Sequence, residues 1–267
     1  MKAPVTGPVG APAGQLCGFC PHEPERPGGP ITAPRCALRR FRNGATVAPV
    51  GATTRQVGFV VEGVLRLVRN LPDGHQQIVG LLMPGDHFGE LFVEMAPFVV
   101  ECASDVLLCS RDRLEFEAML ARHPDKEHAL LASSVSELCA ARQWMSVLGL
   151  PTIRERVAAF LLILIMRERG GIPDDVEPPI RVCVPVSRRD MANFIGTRPE
   201  TVSRVLHRLA RDGLLVIESV QKFIILDHAA LLAAGGGEVL TGDHSSQAGP
   251  TGQIKLTLTG ATIRLPK

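Results

Sequence analysis

The chain has 267 residues, 45% of them apolar, and a net charge of only +2; it can form one large or two modest domains with real cores, and bulk charge is excluded as a means of binding nucleic acid, leaving only a local patch. No apolar run stands at the N-terminus, so no secretory signal is expected and a cytoplasmic location is. Seven cysteines in such a chain point to metal or redox use rather than to a disulfide framework.

Residues 1–34 are rich in Pro and Gly and are expected to be loosely ordered. Their one chemical feature is Cys17-Gly18-Phe19-Cys20, with Cys36 following after fifteen residues. Residues 38–110 read as short β-strands between turns. Segments 58–61, 64–69 and 77–82 are rich in Val, Ile and Leu, and 106–109 closes the set. Glu62-Gly63, Pro72-Asp73-Gly74 and Pro84-Gly85-Asp86 are the turns. This spacing predicts a small antiparallel β-roll. Residues 111–123 read as a short helix ended by Pro124, and a long helix follows over 125–149. In it Leu131, Leu138 and Met145 recur every seven residues, with Val135 and Arg142 offset by four. Such a stripe fits a parallel helix pair, and it also fits a helix lying on its own β-roll.

Gly149-Leu150-Pro151 is the candidate hinge. Residues 157–166 are apolar but too few to span a bilayer, and Arg154, Arg156, Arg167 and Arg169 flank them. They predict a buried helix, so no membrane partner is expected. Residues 186–212 then read as two short helices joined by a tight turn. Ser187 with Asp190 is a capping-box start, Gly196 closes the first helix, and Thr197 with Glu200 repeats the start signal. Pro199 falls in the first turn of the second helix, where a missing N–H costs little. That helix places Val202, Val205, Leu206 and Leu209 on one side and Glu200, Ser203, Arg204, His207 and Arg211 on the other. Gly213 caps it, and 214–217 with 222–226 read as a β-hairpin wing. Residues 235–267 are expected to be a disordered tail.

The polar side of the second helix has what a major groove asks for. Arg can donate twice to guanine, Glu can accept from cytosine, and Ser can reach a base or a phosphate. Six arginines (188, 189, 198, 204, 208 and 211) face only Asp190, Glu200 and Asp212 in this segment, an excess that suits phosphates. By spacing alone, a plain surface helix fits as well.

Two stretches carry a family resemblance. Asp190-Met191-Ala192-Asn193-Phe194-Ile195-Gly196, followed by Glu200, Ser203 and Arg204 in E-x-x-S-R spacing, resembles the reading helices of the FNR branch of the CRP/FNR regulators. The order strand, Glu-Gly, strand, Asp-Gly, strand, then Pro84-Gly85-Asp86-His87-Phe88-Gly89-Glu90-Leu91 resembles the family's cyclic-nucleotide-binding fold. The resemblance covers residues 35–227. It implies an α+β chain with a β-roll over 35–124, a dimerisation helix over 125–149 and a winged helix-turn-helix over 150–234. It also implies a homodimer that binds palindromic double-stranded DNA and works with RNA polymerase. In the family, Glu, Ser and Arg at these positions read a TTGAT-type half-site, which carries over to Glu200, Ser203 and Arg204. Arg188, Thr197 and Arg198 complete the expected DNA-binding set. The family's nucleotide-binding members grip phosphate with an Arg after Gly-Glu-Leu. Residues 95–101 here hold no Arg and do hold Glu101, so no cyclic nucleotide is expected.

FNR-type sensors hold a [4Fe–4S] cluster with three N-terminal cysteines and one on the roll. The resemblance therefore assigns Cys17 and Cys20, and Cys109 through the segment Ala103-Ser104-Asp105-Val106-Leu107-Leu108-Cys109. Cys36 is the third N-terminal ligand, across a loop about twice the family's length, which closure entropy tolerates. Cys102 is the alternative; seven residues before Cys109, it would face the opposite side of one continuous strand. The residues alone leave zinc open, since Cys17-x-x-Cys20 with His22 is a half-site, and equally thiol–disulfide sensing or no cofactor. Cys139 and Cys183 are expected to be packed cysteines, His75 solvated, and Trp144 packed near the hinge. The expected protein is an oxygen-responsive FNR-type transcription regulator and not an enzyme. The alternatives are a cluster-free FixK- or DNR-like regulator sensing haem and nitric oxide or thiol redox state, and a C-x-x-C thiol–disulfide enzyme. The Pro/Gly-rich context of Cys17 and Cys20 argues against the last.

Overall fold

A computed structural model describes residues 36–169 and 179–237, with a short strand pair at 257–258 and 261–262. The first part is all strand: β1 (Ala37–Phe41), β2 (Thr46–Ala48), β3 (Gln56–Glu62), β4 (Leu65–Asn70), β5 (Gln76–Leu82), β6 (His87–Phe88), β7 (Val99–Cys102) and β8 (Val106–Asp112). They pair antiparallel in two four-stranded sheets, β1-β8-β3-β6 and β2-β7-β4-β5. Val60, Leu65, Phe88, Val100, Cys102, Val106 and Leu108 form a core from both sheets. Gly58 lets β3 lie close on β8, because a Cβ there would meet the Cys109 carbonyl oxygen at 1.9 Å.

The helices follow as α1 (Arg113–Leu120), α2 (Pro124–Gly149) and α3 (Ile153–Arg169). Strand β8 runs to Asp112, so the expected helix at 111 starts later. The Asp112 carboxylate accepts from the Leu114 and Glu115 N–H groups and fixes that start. Helix α2 is divided lengthwise. Leu130, Trp144 and Val147 are buried, whereas Leu131, Leu138 and Met145 are 62%, 50% and 70% exposed. The seven-residue stripe therefore does not lie on the chain's own β-roll. Helix α3 is buried without a break from Val157 to Ile165. Among the described residues no helix is long and apolar enough to cross a membrane.

Strand β9 (Ile180–Cys183), helices α4 (Arg188–Ile195) and α5 (Pro199–Arg211), strands β10 (Leu215–Ile217) and β11 (Lys222–Ile225) and helix α6 (His228–Ala234) complete the second part. Its sheet has the order β10-β11-β9. In the tail, β12 (Thr257–Leu258) pairs with β13 (Ala261–Thr262). The expected loose order of residues 1–34, and that of most of 235–267, falls outside the described residues.

The two parts share one core. Val64, Val68, Ile78 and Leu81 of the roll join α3, α4, α5 and the wing in a continuous apolar cluster. Trp144 sits at the junction, 4.5 Å from Phe194 of α4 and 5.5 Å from Phe160 of α3 between ring centroids. Two ion pairs cross the boundary. Arg167 of α3 meets Asp86 of the β5–β6 turn. Arg66 of β4 holds Glu101 at 2.9 Å and also pairs with Asp190 of α4. Asp190 is only 5% exposed in its side chain and Arg66 is 20% exposed. Replacing Arg66 by Met strands a nearly buried carboxylate, and we expect a loss of about 2–3 kcal/mol, between the surface and buried limits for such pairs. Thermal or urea unfolding checks this; an unchanged midpoint would mean the pair contributes nothing.

Candidate nucleic-acid interface and sulfur site

The α4–α5 pair is built by local chemistry. Ser187 accepts from the Asp190 N–H at 3.1 Å, and Asp190 accepts from the Ser187 N–H at 3.1 Å, a complete capping box. Gly196 ends α4 at φ +73°, a conformation that favours glycine, and the Thr197 N–H donates back to the Ala192 carbonyl. Thr197 thus closes α4 and does not cap α5. The start signal expected from Thr197 and Glu200 is not used: Pro199 opens α5, Arg198 is its N-cap, and no side chain caps it. Val202, Leu206 and Leu209 are buried. Glu200, Arg204, His207, Arg208 and Arg211 are exposed, and Ser203 is half-buried between Glu200 and Arg204.

The remaining expected contacts differ in setting. Arg198 is exposed and Thr197 half-buried, both at the α4–α5 turn. The Arg188 guanidinium lies 4.8 Å from the centre of the Phe223 ring, so it joins α4 to the wing strand β11. Burial there holds its pKa below the usual arginine value. At the far end of α5, Arg154 of α3 donates to Asp212 at 2.5 Å and lowers its carboxyl pKa. That engagement leaves Arg208 and Arg211 as the exposed charges of the last turn.

The cysteines separate into distinct environments. Cys109 lies on β8 opposite Leu38 of β1 and Phe59 of β3. The β1–β8 register begins at Ala37 opposite Ser110, which puts Cys36, one residue earlier, on the same face as Leu38 and Cys109. Cys36 and Leu38 pack against the cluster that contains Cys109, Val57, Phe59, Phe116 and Met119. Cys36 is disulfide-bonded. Cys102, Cys109, Cys139 and Cys183 are not in disulfides. Cys102 is on β7, in the other sheet and another apolar cluster, so the premise of one continuous strand with Cys109 fails. Burial pushes its thiol up to about 11, which disfavours the thiolate a metal needs. Cys183 is exposed rather than packed, because β9 alternates and turns it outward. Cys17, Cys20 and His22 lie outside the described residues. Among the described residues no group of three or more His, Cys, Asp or Glu side chains converges on a point. Cys36 and Cys109 put two sulfurs on one face, but the Cys36 sulfur is in a disulfide and becomes the thiolate an iron–sulfur cluster takes only on reduction.

Sequence reasoning missed one residue here. Arg111 is 4% exposed, and its guanidinium donates to Met119 Sδ at 3.1 Å and to Cys36 Sγ at 3.6 Å. Strand alternation from Cys109 could have found it, had 111 been read as strand.

The roll also encloses a cavity of about 270 Å³, lined by Thr54, Arg55, His87, Glu90 and Glu137 among others. Thr54 Oγ1 and His87 Nε2 are buried there without a hydrogen-bond partner. Burial pushes the His87 imidazole down to about 4. Glu137 of α2 accepts from the His87 N–H at 3.1 Å, tying α2 to the roll. Glu101, expected to oppose a phosphate, does not line this cavity. It faces outward to Arg66, because alternation along β7 sends Val100 and Cys102 inward. His75, at the β4–β5 turn, is solvated.

A β-roll joined by a long helix to a winged helix-turn-helix, with Glu200 and Arg204 exposed and Ser203 half-buried between them, defines a DNA-binding transcription regulator. Residues 38–123 match the Cyclic nucleotide-binding domain, and residues 155–234 match the Crp-like helix-turn-helix domain. The chain belongs to the CRP/FNR family of transcription regulators. It is 34% identical over 200 residues to the Transcriptional activator protein FnrL of Cereibacter sphaeroides, covering 75% of this chain and 81% of FnrL. It is 35% identical over 181 residues to the Nitrogen fixation regulation protein FixK of Bradyrhizobium diazoefficiens, covering 66% and 73% of the two chains. Its fold is similar to the structure of FixK2 from Bradyrhizobium japonicum, with a TM-score of 0.65 and 27% identity over 74% of this chain and 96% of that one.

Proposed function

We propose that this protein is an FNR-type regulator that acts as a homodimer on TTGAT-type palindromes with RNA polymerase, in the cytoplasm, under control of a [4Fe–4S] cluster on Cys17, Cys20, Cys36 and Cys109. The observation that carries the reading is the placement of Cys36 and Cys109 on one face of the roll, with Cys102 in another cluster. When bound, such a cluster supplies an iron centre that oxygen can destroy. With the Cys36 disulfide reduced, Cys36 and Cys109 would hold the cluster between the start of β1 and β8, and β8 leads directly into α1 and α2. The apolar stripe of α2 closes the two-fold axis, and the two α5 helices then stand about 34 Å apart, one turn of DNA. Ligation is the differential interaction that favours this state. Glu200, Ser203 and Arg204 contact base edges, while Thr197, Arg198 and Arg188 belong to the backbone-facing rim. Cyclic nucleotide has no part in this reading, which rests on the absence of an Arg from residues 95–101; the roll cavity is lined by Arg55 as well as by Glu90 and Glu137.

The direct test is fluorescence anisotropy on a TTGAT palindrome, under nitrogen and after air. The reading predicts tight binding that weakens after air; equal affinity in both would overturn oxygen control and leave the DNA reading. A second reading, thiol–disulfide sensing, is favoured by the disulfide at Cys36; it predicts that dithiothreitol alone restores the affinity lost in air. A cluster-free, FixK-like regulator predicts no response to either treatment.

Replacing Arg204 by Ala tests the reading helix. Loss of a bidentate guanine contact is expected to cost about 1–3 kcal/mol and to relax preference at one base of each half-site. Binding to single-base variants of the palindrome measures it, and uniform weakening across them would reassign Arg204 to phosphate contact.

A further inference from the structure

The reading motif is fastened to the roll at two charged points, both on the β2-β7-β4-β5 sheet or the turn that leaves it. The first is Asp190 at the start of α4. Its Oδ2 accepts from the Ser187 N–H at 3.1 Å and from the Ser187 hydroxyl at 2.6 Å, within the capping box. Its Oδ1 accepts from Nη1 of Arg66 on β4. The other edge of that guanidinium, Nε and Nη2, donates to Glu101 Oε2 of β7 at 3.1 and 2.9 Å. Arg66 therefore has one partner in its own sheet and one in the helix-turn-helix. The second point is Arg167, near the end of α3. It pairs with Asp86 and donates to the Leu81 carbonyl, and Leu81 lies opposite Arg66 in the β4–β5 register.

Val64, Val68, Ile78 and Leu81 of the sheet share an apolar core with α3 and α4. Apolar burial is non-directional and would allow the helices to slide or turn on the sheet. A guanidinium fork is directional. A nearly buried ion pair adds little net stability over apolar side chains of the same volume, and its best-attested use is to select one register. Two such pairs, on two helices, fix rotation as well as position. Glu200, Arg204 and His207 stay exposed in this arrangement, so docking on the roll leaves the reading face open.

We propose that Arg66 is a positioning residue for half-site spacing: by holding α4 on the roll it fixes the angle of α5 to the two-fold axis, and so the separation of half-sites that one dimer spans. Arg66 touches no DNA. This rests on the dimer and palindrome reading above. Without Arg66 one charged anchor remains, at Arg167, and α4 and α5 can turn about it. One base pair inserted at the centre of a palindrome moves one half-site by about 3.4 Å and turns it by about 35°. A dimer with fixed reading helices loses affinity for such a site, and a dimer with loosened ones discriminates less.

The experiment compares wild type, Arg66→Met and Arg66→Lys as full chains purified under nitrogen, at a temperature where circular dichroism shows each to be folded. Sedimentation velocity reports the dimer. Anisotropy is read on the TTGAT palindrome, on the same palindrome with one and with two base pairs inserted at its centre, and on a lone half-site. Arg66→Met is expected to keep wild-type affinity for the half-site, because α5 and its capping box are intact. Its affinity for the palindrome should fall about tenfold, part of what simultaneous engagement contributes. Its preference for the uninserted palindrome over the inserted ones should fall toward one. A mere loss of folded protein would lower all four affinities together and leave that ratio unchanged. Arg66→Lys keeps a charge without the fork and is expected to lie between the two. A wild-type ratio in folded, dimeric Arg66→Met would overturn the proposal, and tighter binding to the palindrome would overturn it too, by making the contact inhibitory. If Arg66→Met does not fold, a wild-type ratio in Arg66→Lys decides against it. A wild type that is monomeric, or that binds the palindrome no better than the half-site, would sink the dimer reading and this inference with it.

Discussion

Replacing Cys109 by Ala is expected to leave a folded chain with almost no iron, whose DNA affinity under nitrogen equals that of wild type in air. Cys109 is 1% exposed among Val57, Phe59, Phe116 and Met119, so the change removes one sulfur from a packed cluster. A deletion that small costs on the order of 1–2 kcal/mol, which a domain of this size tolerates. The functional loss is of another order, because three ligands do not hold what four hold. The control is Cys102→Ala. Cys102 is equally buried but lies in the other sheet, so it should cost similar stability and keep its iron. Iron assay with a palindrome titration under nitrogen separates the two. Full iron in Cys109→Ala would remove the ligand assignment. Loss of iron in Cys102→Ala alone would move it to β7.

The second large effect is expected on α2. Leu131, Leu138 and Met145 are exposed along one line of the helix, while the opposite face is buried in the chain's own core. Three large apolar side chains at seven-residue spacing leave an apolar stripe that, on the proposed reading, a second copy covers. Leu138→Glu puts a charge in the middle of that seam, one from each protomer. Because Leu138 is 50% exposed within the chain, the protomer's own folding should change by no more than about 0.5 kcal/mol. Dimerisation is expected to fail. A palindrome then meets a single α5 helix at a time, and the loss of bivalency should lower affinity by about 10²–10⁴. Sedimentation velocity reads the mass and anisotropy reads the affinity. A dimer of unchanged stability would contradict the assignment of this face.

The helix-turn-helix was legible because its signals are local. The Ser187–Asp190 box, the left-handed Gly196 and the one-sided Val202, Leu206 and Leu209 each act within a turn or two of chain. The Thr197–Glu200 signal misled by one residue: Pro199 fixes the first helical position, which makes Arg198 the cap. In the roll, the longer strands β3, β4 and β5 were visible from composition. The short strands β2, β6 and β7 were not, since two to four residues show no period. Reading Arg111 as a helix start hid its place beside Cys36, and reading residues 95–101 without the pleat put Glu101 in the cavity. The Arg66–Asp190 pair joins residues 124 apart in sequence, a contact that no local pattern encodes.

The measurement that bears most directly on the central claim is iron and acid-labile sulfide per chain after purification without oxygen, with the visible spectrum followed as air is admitted. The account predicts about four of each per chain and a broad visible band that fades in air. A colourless, iron-free protein that still binds the TTGAT palindrome would contradict cluster control and leave a cluster-free regulator; zinc in place of iron would turn the cysteines into a structural or thiol-redox site.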